Sequence, residues 1–381
     1  MSYFDNNATT PLHPNACQAL LDASTENWAN PSSPYRISAK VRASMQKCRE
    51  SIASYLGTDP DQVTFTSGST EANNSVFSNL ARTANPTSRV LLSPYEHPSV
   101  TEAAHLWFSD RVDILTAQSD GTVSTDDLEA YLSKGSLPAL VSILAASNES
   151  GVIQPWREAA RICQKHGVPY HCDSTQLPGK ENLNDISLCT YSVFSAHKFG
   201  GPKGIGWLIG EGASSLLVGG EQEKGRRGGT ENYPAIASAY QAWESIVQAP
   251  IDRVGLSSLR DGFEEQMEKL FPGIRIIGKT SSRLWNTSLL IMPEFENIHW
   301  VGKLDKLGFQ VSTGSACSTT KTGGSPIALA LALSLSETQR LIRVSSFHGH
   351  TRSDWEGLVS AFAQAYSSLT EESIDSSVIS L

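Results

Sequence analysis

The sequence predicts an α/β fold: a doubly wound, mainly parallel sheet joined to a smaller α+β unit. Three observations predict it. The middle of the chain alternates short β-rich runs with amphipathic helical stretches. One run, Ala139–Ala145 (ALVSILA), is almost continuously apolar, as a strand covered on both faces must be. The chemistry-bearing polar segments follow strands directly, which is where open α/β sheets keep their sites.

In chain order, Val63–Phe65 is a short strand that runs into the polar segment TSGSTE (66–71). Arg89–Ser93 (RVLLS) and Val112–Thr116 (VDILT) are further β-rich runs before Ala139–Ala145. Trp156–His166 carries apolar residues at helical spacing, and Gly167 supplies its C-cap. Strands follow at Val168–Cys172, Thr190–Phe194 and Gly204–Ile209. Strand, helix and strand at this spacing build parallel βαβ units with helices on both faces. After about residue 250 the pattern changes. Helices at Arg253–Leu270, Ser336–Arg340 and Asp354–Ser367 mix with short strands at Ile274–Ile277, Thr287–Ile291 and Gln310–Ser312. The expected division is a large domain over 13–250 and a small one made of 1–12 with 251–381. Part of the Ser- and acid-rich end of the chain is expected to extend the last helix, and the rest, within 368–381, to fray as a flexible tail.

A chain of 381 residues suits two domains of roughly 100–200 residues each. It is 39% hydrophobic and 18% charged, a globular composition. Thirty Lys and Arg against 39 Asp and Glu leave a formal charge of -9, which argues against binding nucleic acid. No apolar run approaches the roughly 20 residues of a membrane span, and the N-terminus has no presequence pattern. Six cysteines (17, 48, 163, 172, 189 and 317) form no C-x-x-C pair. They read as reduced thiols of a cytoplasmic protein, five of them packed as small hydrophobes.

Four segments carry chemistry. In TSGSTE, Gly68 permits a tight turn while Ser69 and Thr70 bring hydroxyls and N–H groups to a helix N-terminus, a phosphate cradle. The same pattern is also an ordinary capping box. Asp173 follows the strand ending at Cys172; alone it reads equally as an N-cap. Lys198 follows a strand in Ser195-Ala196-His197-Lys198, where desolvation makes an amine nucleophilic. A Lys and an Asp at neighbouring strand ends, with a phosphate cradle upstream, are what pyridoxal 5'-phosphate requires: an aldehyde anchor and a partner for the pyridine nitrogen. Finally, STGSACS (312–318) sets Cys317 in a small, polar loop suited to an accessible thiol. His348 and His350 have no neighbouring ligands and read as a solvent-facing turn, so no metal site is expected. Lys203, Arg226 and Arg227 read as solvated charges, the two arginines lying close to the expected phosphate site.

These segments, together with YFDNNATTP, NPSS, EHPSV, SNESGVIQP, GRRGGTEN and IRVS, resemble the pyridoxal-phosphate-dependent cysteine desulfurases of the aminotransferase class V superfamily, in the group with the longer catalytic-Cys loop. The resemblance runs from about Tyr3 to Ser345. It implies a fold-type-I enzyme with a seven-stranded sheet, in which Lys198 holds the cofactor as a Schiff base. Asp173 pairs with the pyridine nitrogen, Gln176 binds the phenolic oxygen, and His97 stacks on the ring and helps in proton transfer, being one candidate base for the thiol. Ser69, Thr70, Ser195 and His197 hold the phosphate, with Thr230 reaching across a homodimer interface. Asn148 and Arg343 hold the carboxylate of L-cysteine, and Cys317 takes the sulfur as a persulfide. The product is L-alanine, and the sulfur passes to an iron–sulfur scaffold or a sulfurtransferase. Rival readings are a selenocysteine or cystine lyase on the same scaffold and a non-catalytic partner-binding homologue. Glu221 and Phe347 stand where the family usually has glycine.

Overall fold

The computed structural model describes residues 2–211, 216–247, 249–314 and 325–379, over 375–379 as main chain only. Twelve strands are described: β1 Ser2–Tyr3, β2 Val63–Thr66, β3 Val90–Leu92, β4 Val112–Ile114, β5 Leu140–Ser142, β6 Tyr170–Asp173, β7 Tyr191–Ser195, β8 Gly206–Ile209, β9 Arg275–Ile276, β10 Thr287–Ile291, β11 Phe309–Gln310 and β12 Leu341–Ser345. Seven form the central sheet in the order β2-β8-β7-β6-β5-β3-β4. The five strands from β4 to β7 pair in parallel. Strand β8 runs antiparallel to both β7 and β2. The connection 196–205 is shorter than the dozen or more residues a parallel crossover needs, so β8 has to turn back.

Three apolar clusters form the core. The largest joins the sheet to the helices Pro14–Glu26, Arg36–Leu56, Trp156–His166 and Tyr233–Val247. On the opposite face, the helices Ser69–Thr83 and Pro98–Phe108 cover β3, β7 and β8 through Val76, Phe77, Val100 and Phe108. That two-sided burial is why β3 and β5 are wholly apolar save for Ser142. A separate cluster unites Phe4, Phe263, Met267, Trp300 and Phe362 with the antiparallel sheet β12-β10-β9. The N-terminal strip joins this unit: β1 pairs in parallel with β11, and Asp5 bridges to Ser345.

Two expectations are corrected. The last helix does not stop at Ser367 but runs from Arg352 to Ile379. It takes in most of the stretch expected as a tail, since Ala365 and Leu369 extend its buried stripe. Cys17 is exposed on its helix and does not pack as a small hydrophobe. Cys48, Cys163, Cys172 and Cys189 are buried, and burial pushes the Cys48 and Cys163 thiols up to about 12.

Candidate active site

The carboxyl ends of β2, β6 and β7 lie at one edge of the sheet, and a cavity of about 410 Å³ opens there. Its walls include Ser69, Thr70, His97, Asn148, Asp173, Gln176, Ser195, His197 and Lys198. The chain thus brings together nine residues singled out from its sequence. Thr230 does not line this cavity and is exposed in the single chain. Cys317 lies outside the described residues.

The cradle is built by backbone geometry. Gly68 adopts φ +145°, a region that side chains rarely enter, and a Cβ there would lie 3.2 Å from Ser195 Oγ. The helix Ser69–Thr83 begins at this turn and directs its first N–H groups to the cavity end. Glu71 closes the turn from behind. It accepts from Ser67 N at 2.8 Å and pairs with Arg227 at 3.0 Å. Burial opposes its charge, yet Arg227 and Ser67 hold its carboxyl below the usual range. Arg227 is therefore a structural partner of the cradle, and Arg226 donates to Glu223 O, so neither is merely a solvated charge. The neighbouring loop is held by Glu223, which is buried, binds the Arg49 guanidinium in a fork and accepts from Phe65 N. Glu221 stays exposed beside it.

Lys198 sits in the turn after β7, just before Phe199, whose ring meets Trp243 edge to face as Trp207 does. Its Nζ donates to the carbonyls of Asn7 at 2.6 Å and Ala8 at 2.9 Å. His197 is pushed down to about 4 by burial and by the charges of Lys198, Lys203 and Lys180. Cations gathered at the cradle end suit an anion there. Gln176 donates from Nε2 to Asn7 O, and its Oε1 accepts from buried Lys180. Lys180 also donates to Asn7 Oδ1 at 3.0 Å, and its amine is held well below its ordinary pKa by burial and nearby Lys198.

Asp173 is held as an acceptor. Its Oδ1 accepts from Thr175 N at 3.0 Å and its Oδ2 from Asn73 Nδ2 at 3.1 Å. His97 caps the helix Pro98–Phe108: its Nδ1 accepts from Ser99 N at 3.1 Å. Burial lowers the ring's pKa, against the pull of Asp173 and with the push of Lys198. A neutral ring whose Nδ1 accepts carries its proton on Nε2. His97 in this tautomer offers a proton donor at Nε2.

Arg343 stands on β12 behind Asn148. It donates to Asn148 O at 3.1 Å, to Gly314 O at 3.3 Å and to Asp5 Oδ1 at 2.6 Å. Gly314 is the last described residue before the segment carrying Cys317. On the far side of that segment, Ser325 Oγ and Ile327 N both donate to Glu149 Oε2 at 3.0 Å. Glu149 is fully buried, and desolvation raises its pKa. Phe347, after β12, packs its ring on His348 and donates its N–H to His350 Nδ1 at 2.8 Å. His350 stacks on Phe4 at 4.3 Å, so it is half-buried and not solvent-facing as expected. Among the described residues no group of three metal-ligating side chains occurs, and no helix is long and apolar enough to cross a membrane.

Sequence reasoning missed Asn7, Asn73, Ser99, Glu149 and Lys180. Each lies within or beside a segment already quoted, but as an unremarkable Asn, Ser, Glu or Lys whose partner is distant in sequence.

A doubly wound sheet with a lysine, a carboxylate and an anion cradle at its carboxyl edge defines the fold-type-I class of pyridoxal-phosphate proteins. The chain belongs to the aminotransferase class-V family, whose model matches residues 2–357. It is 34% identical over 327 residues to the cysteine desulfurase IscS of Dictyoglomus turgidum, covering 84% of this chain and 82% of that one. A cysteine desulfurase of Nostoc sp. is 32% identical over 351 residues, with 90% and 87% covered. Among solved structures, a NifS-like protein superposes with a TM-score of 0.87 at 29% identity, covering 96% of this chain and 99% of the other. The NifS-like protein of Rickettsia africae gives 0.85 at 28%, with the same coverage.

Proposed function

We propose that the protein is a cysteine desulfurase that converts L-cysteine to L-alanine and carries the sulfur away as a persulfide on Cys317. The observation that carries this reading is the convergence of Lys198, Asp173 and the Gly68–Thr70 cradle on one cavity. The residues fit pyridoxal phosphate: the cradle is open where a Cβ at Gly68 would close it, and the Asp173 carboxylate waits at a strand end. Bound there, the cofactor would supply an aldehyde for Lys198 and a ring that stores the electron pair released with the substrate's α-proton.

The protein's own residues do the rest. Ser69, Thr70, Ser195 and His197 hold the phosphate, and Asp173 keeps a proton at the ring nitrogen. Gln176, fixed by Lys180, would donate to the phenolic oxygen. Asn148 and Arg343 would receive the substrate carboxylate, for which a guanidinium fork is the fitting shape. Lys198 would move the α-proton, and His97 would supply a proton from Nε2. The Cys317 thiolate attacks the substrate's sulfur: the new S–S bond forms as the substrate's Cβ–S bond breaks. Cβ then takes a proton, so alanine leaves and Cys317 keeps the persulfide.

The remaining parts of the reading follow the same family. The cofactor domain spans 13–250 and the small domain takes 1–12 with 251–381, supported by the separate apolar cluster around Phe4 and Trp300. The enzyme works in the cytoplasm as a homodimer in which Thr230 reaches the partner's phosphate. It delivers sulfur to an iron–sulfur scaffold or a sulfurtransferase. The test is an assay of purified protein with pyridoxal phosphate and a reductant. Cysteine should yield alanine and sulfide in equal amounts. Alanine from selenocysteine alone, or neither product with either substrate, would overturn the reading.

A further inference from the structure

Behind the cavity wall, seven buried or half-buried polar side chains form a continuous series. Glu96 Oε1 lies 3.1 Å from Ser142 Oγ, which lies 2.8 Å from His171 Nδ1. His171 Nε2 lies 3.0 Å from Asn73 Oδ1. Asn73 Nδ2 reaches Asp173 Oδ2 at 3.1 Å and Ser99 Oγ at 2.9 Å, and Ser99 Oγ is 2.8 Å from His97 Nδ1. Glu96, Ser142, His171 and Asn73 are fully buried.

From Asp173 outward, the contacts fix where the protons lie. The Asp173 carboxylate can only accept, so the Asn73 amide nitrogen must face it. That leaves Asn73 Oδ1 against His171, whose Nε2 must then carry the proton. A neutral His171 has a bare Nδ1, which accepts. Behind it, Glu96 Oε1 accepts from Leu144 N at 2.9 Å and faces the Ser142 hydroxyl. Burial favours both neutral forms: it pushes His171 down to about 4 and Glu96 up to about 8. At the other end, Asn73 donates to Ser99, and the Ser99 hydroxyl donates to His97 Nδ1.

We propose that Asn73 is a positioning residue, the branch point of a one-way hydrogen-bond chain that enters from His171. One branch fixes Asp173 as a carboxylate. The other, through Ser99, fixes His97 with its proton on Nε2. A single buried amide thereby sets the protonation of both groups assigned to the two sides of the cofactor ring. The proposal rests on the assignment of Asp173 and His97 to that ring.

The test begins without cofactor. Protein labelled with 15N-histidine and stripped of pyridoxal phosphate reports ring tautomers by NMR, with signals assigned from single His→Gln variants. The expected result is a neutral His171 and a neutral His97 at pH 7, each protonated on Nε2. An imidazolium or an Nδ1-protonated ring at His171 would overturn the chain's direction. The Asn73→Leu variant, reloaded with cofactor, is then expected to lose roughly tenfold to a hundredfold in kcat, with KM for cysteine within about twofold of wild type. A smaller loss in kcat would overturn the branch-point role. A wild type that binds no pyridoxal phosphate would instead sink the cofactor reading and leave the tautomer result standing.

Discussion

Arg343 Nη2 donates to Asp5 Oδ1 at 2.6 Å, so the guanidinium assigned to the substrate already holds a carboxylate from the N-terminal strip. The pairing is set by backbone: Asp5 bridges in parallel to Ser345, two residues beyond Arg343 on β12. Arg343 is 2% exposed, which shields the pair from solvent screening. A substrate carboxylate docking on Arg343 would share this guanidinium with Asp5.

Arg343→Lys keeps the charge and removes the fork. It is expected to raise KM for cysteine by about tenfold or more. Asp5→Asn removes the competing charge and is expected to move KM the other way. Steady-state kinetics on the two variants decide this. Unchanged KM in both would mean that Arg343 does not receive the substrate.

Gly68→Ala tests the cradle. The substitution puts a Cβ at φ +145° and 3.2 Å from Ser195 Oγ. Strain of this kind costs about 1–3 kcal/mol. The expected result is a loss in pyridoxal phosphate affinity of about tenfold or more, read by absorbance titration, with helical content retained. Unaltered affinity would place the phosphate elsewhere.

Glu96 gives the fold a pH dependence. Burial, and then Asp173, push it up to about 8 from an ordinary 4.5. Folded protein keeps a proton here that the unfolded chain loses above 4.5, so this contribution is complete at low pH and is lost as pH rises towards 8. His171 runs the opposite way: lowered to about 4 from 6.5, its contribution is lost as pH falls below 6.5. Urea unfolding between pH 6.5 and 8 should therefore show wild type losing about 2 kcal/mol relative to Glu96→Gln. Parallel curves for the two proteins would show that Glu96 is ionised throughout.

Much of the fold was legible because its signals are local. The apolar run at Ala139–Ala145 gave β5, and the helix Trp156–His166 with its Gly167 cap stands where its periodicity put it. The antiparallel turn of β8 was not legible, because it depends on how short 196–205 is relative to a crossover and not on the strand's own residues. The site divides in the same way. Lys198, Asp173 and TSGSTE announce themselves by residue type after a strand. Asn73 lies 100 residues before Asp173, which it contacts, and Asp5 lies 338 before Arg343. Nothing in a helix-borne Asn or an N-terminal Asp foretells such a partner. His97 shows the finer limit: its place in the cavity was readable, but the direction of its proton came only from the Ser99 N–H that caps it.

The central claim is that Cys317 takes the substrate's sulfur. Purified holoenzyme incubated with cysteine in the absence of reductant, then digested and examined by mass spectrometry, should carry one added sulfur atom on the peptide containing Cys317. Cys317→Ala should form alanine from cysteine at a small fraction of the wild-type rate. A Cys317→Ala variant that makes alanine at the full rate, with no added sulfur found on Cys317 in wild type, would contradict the account.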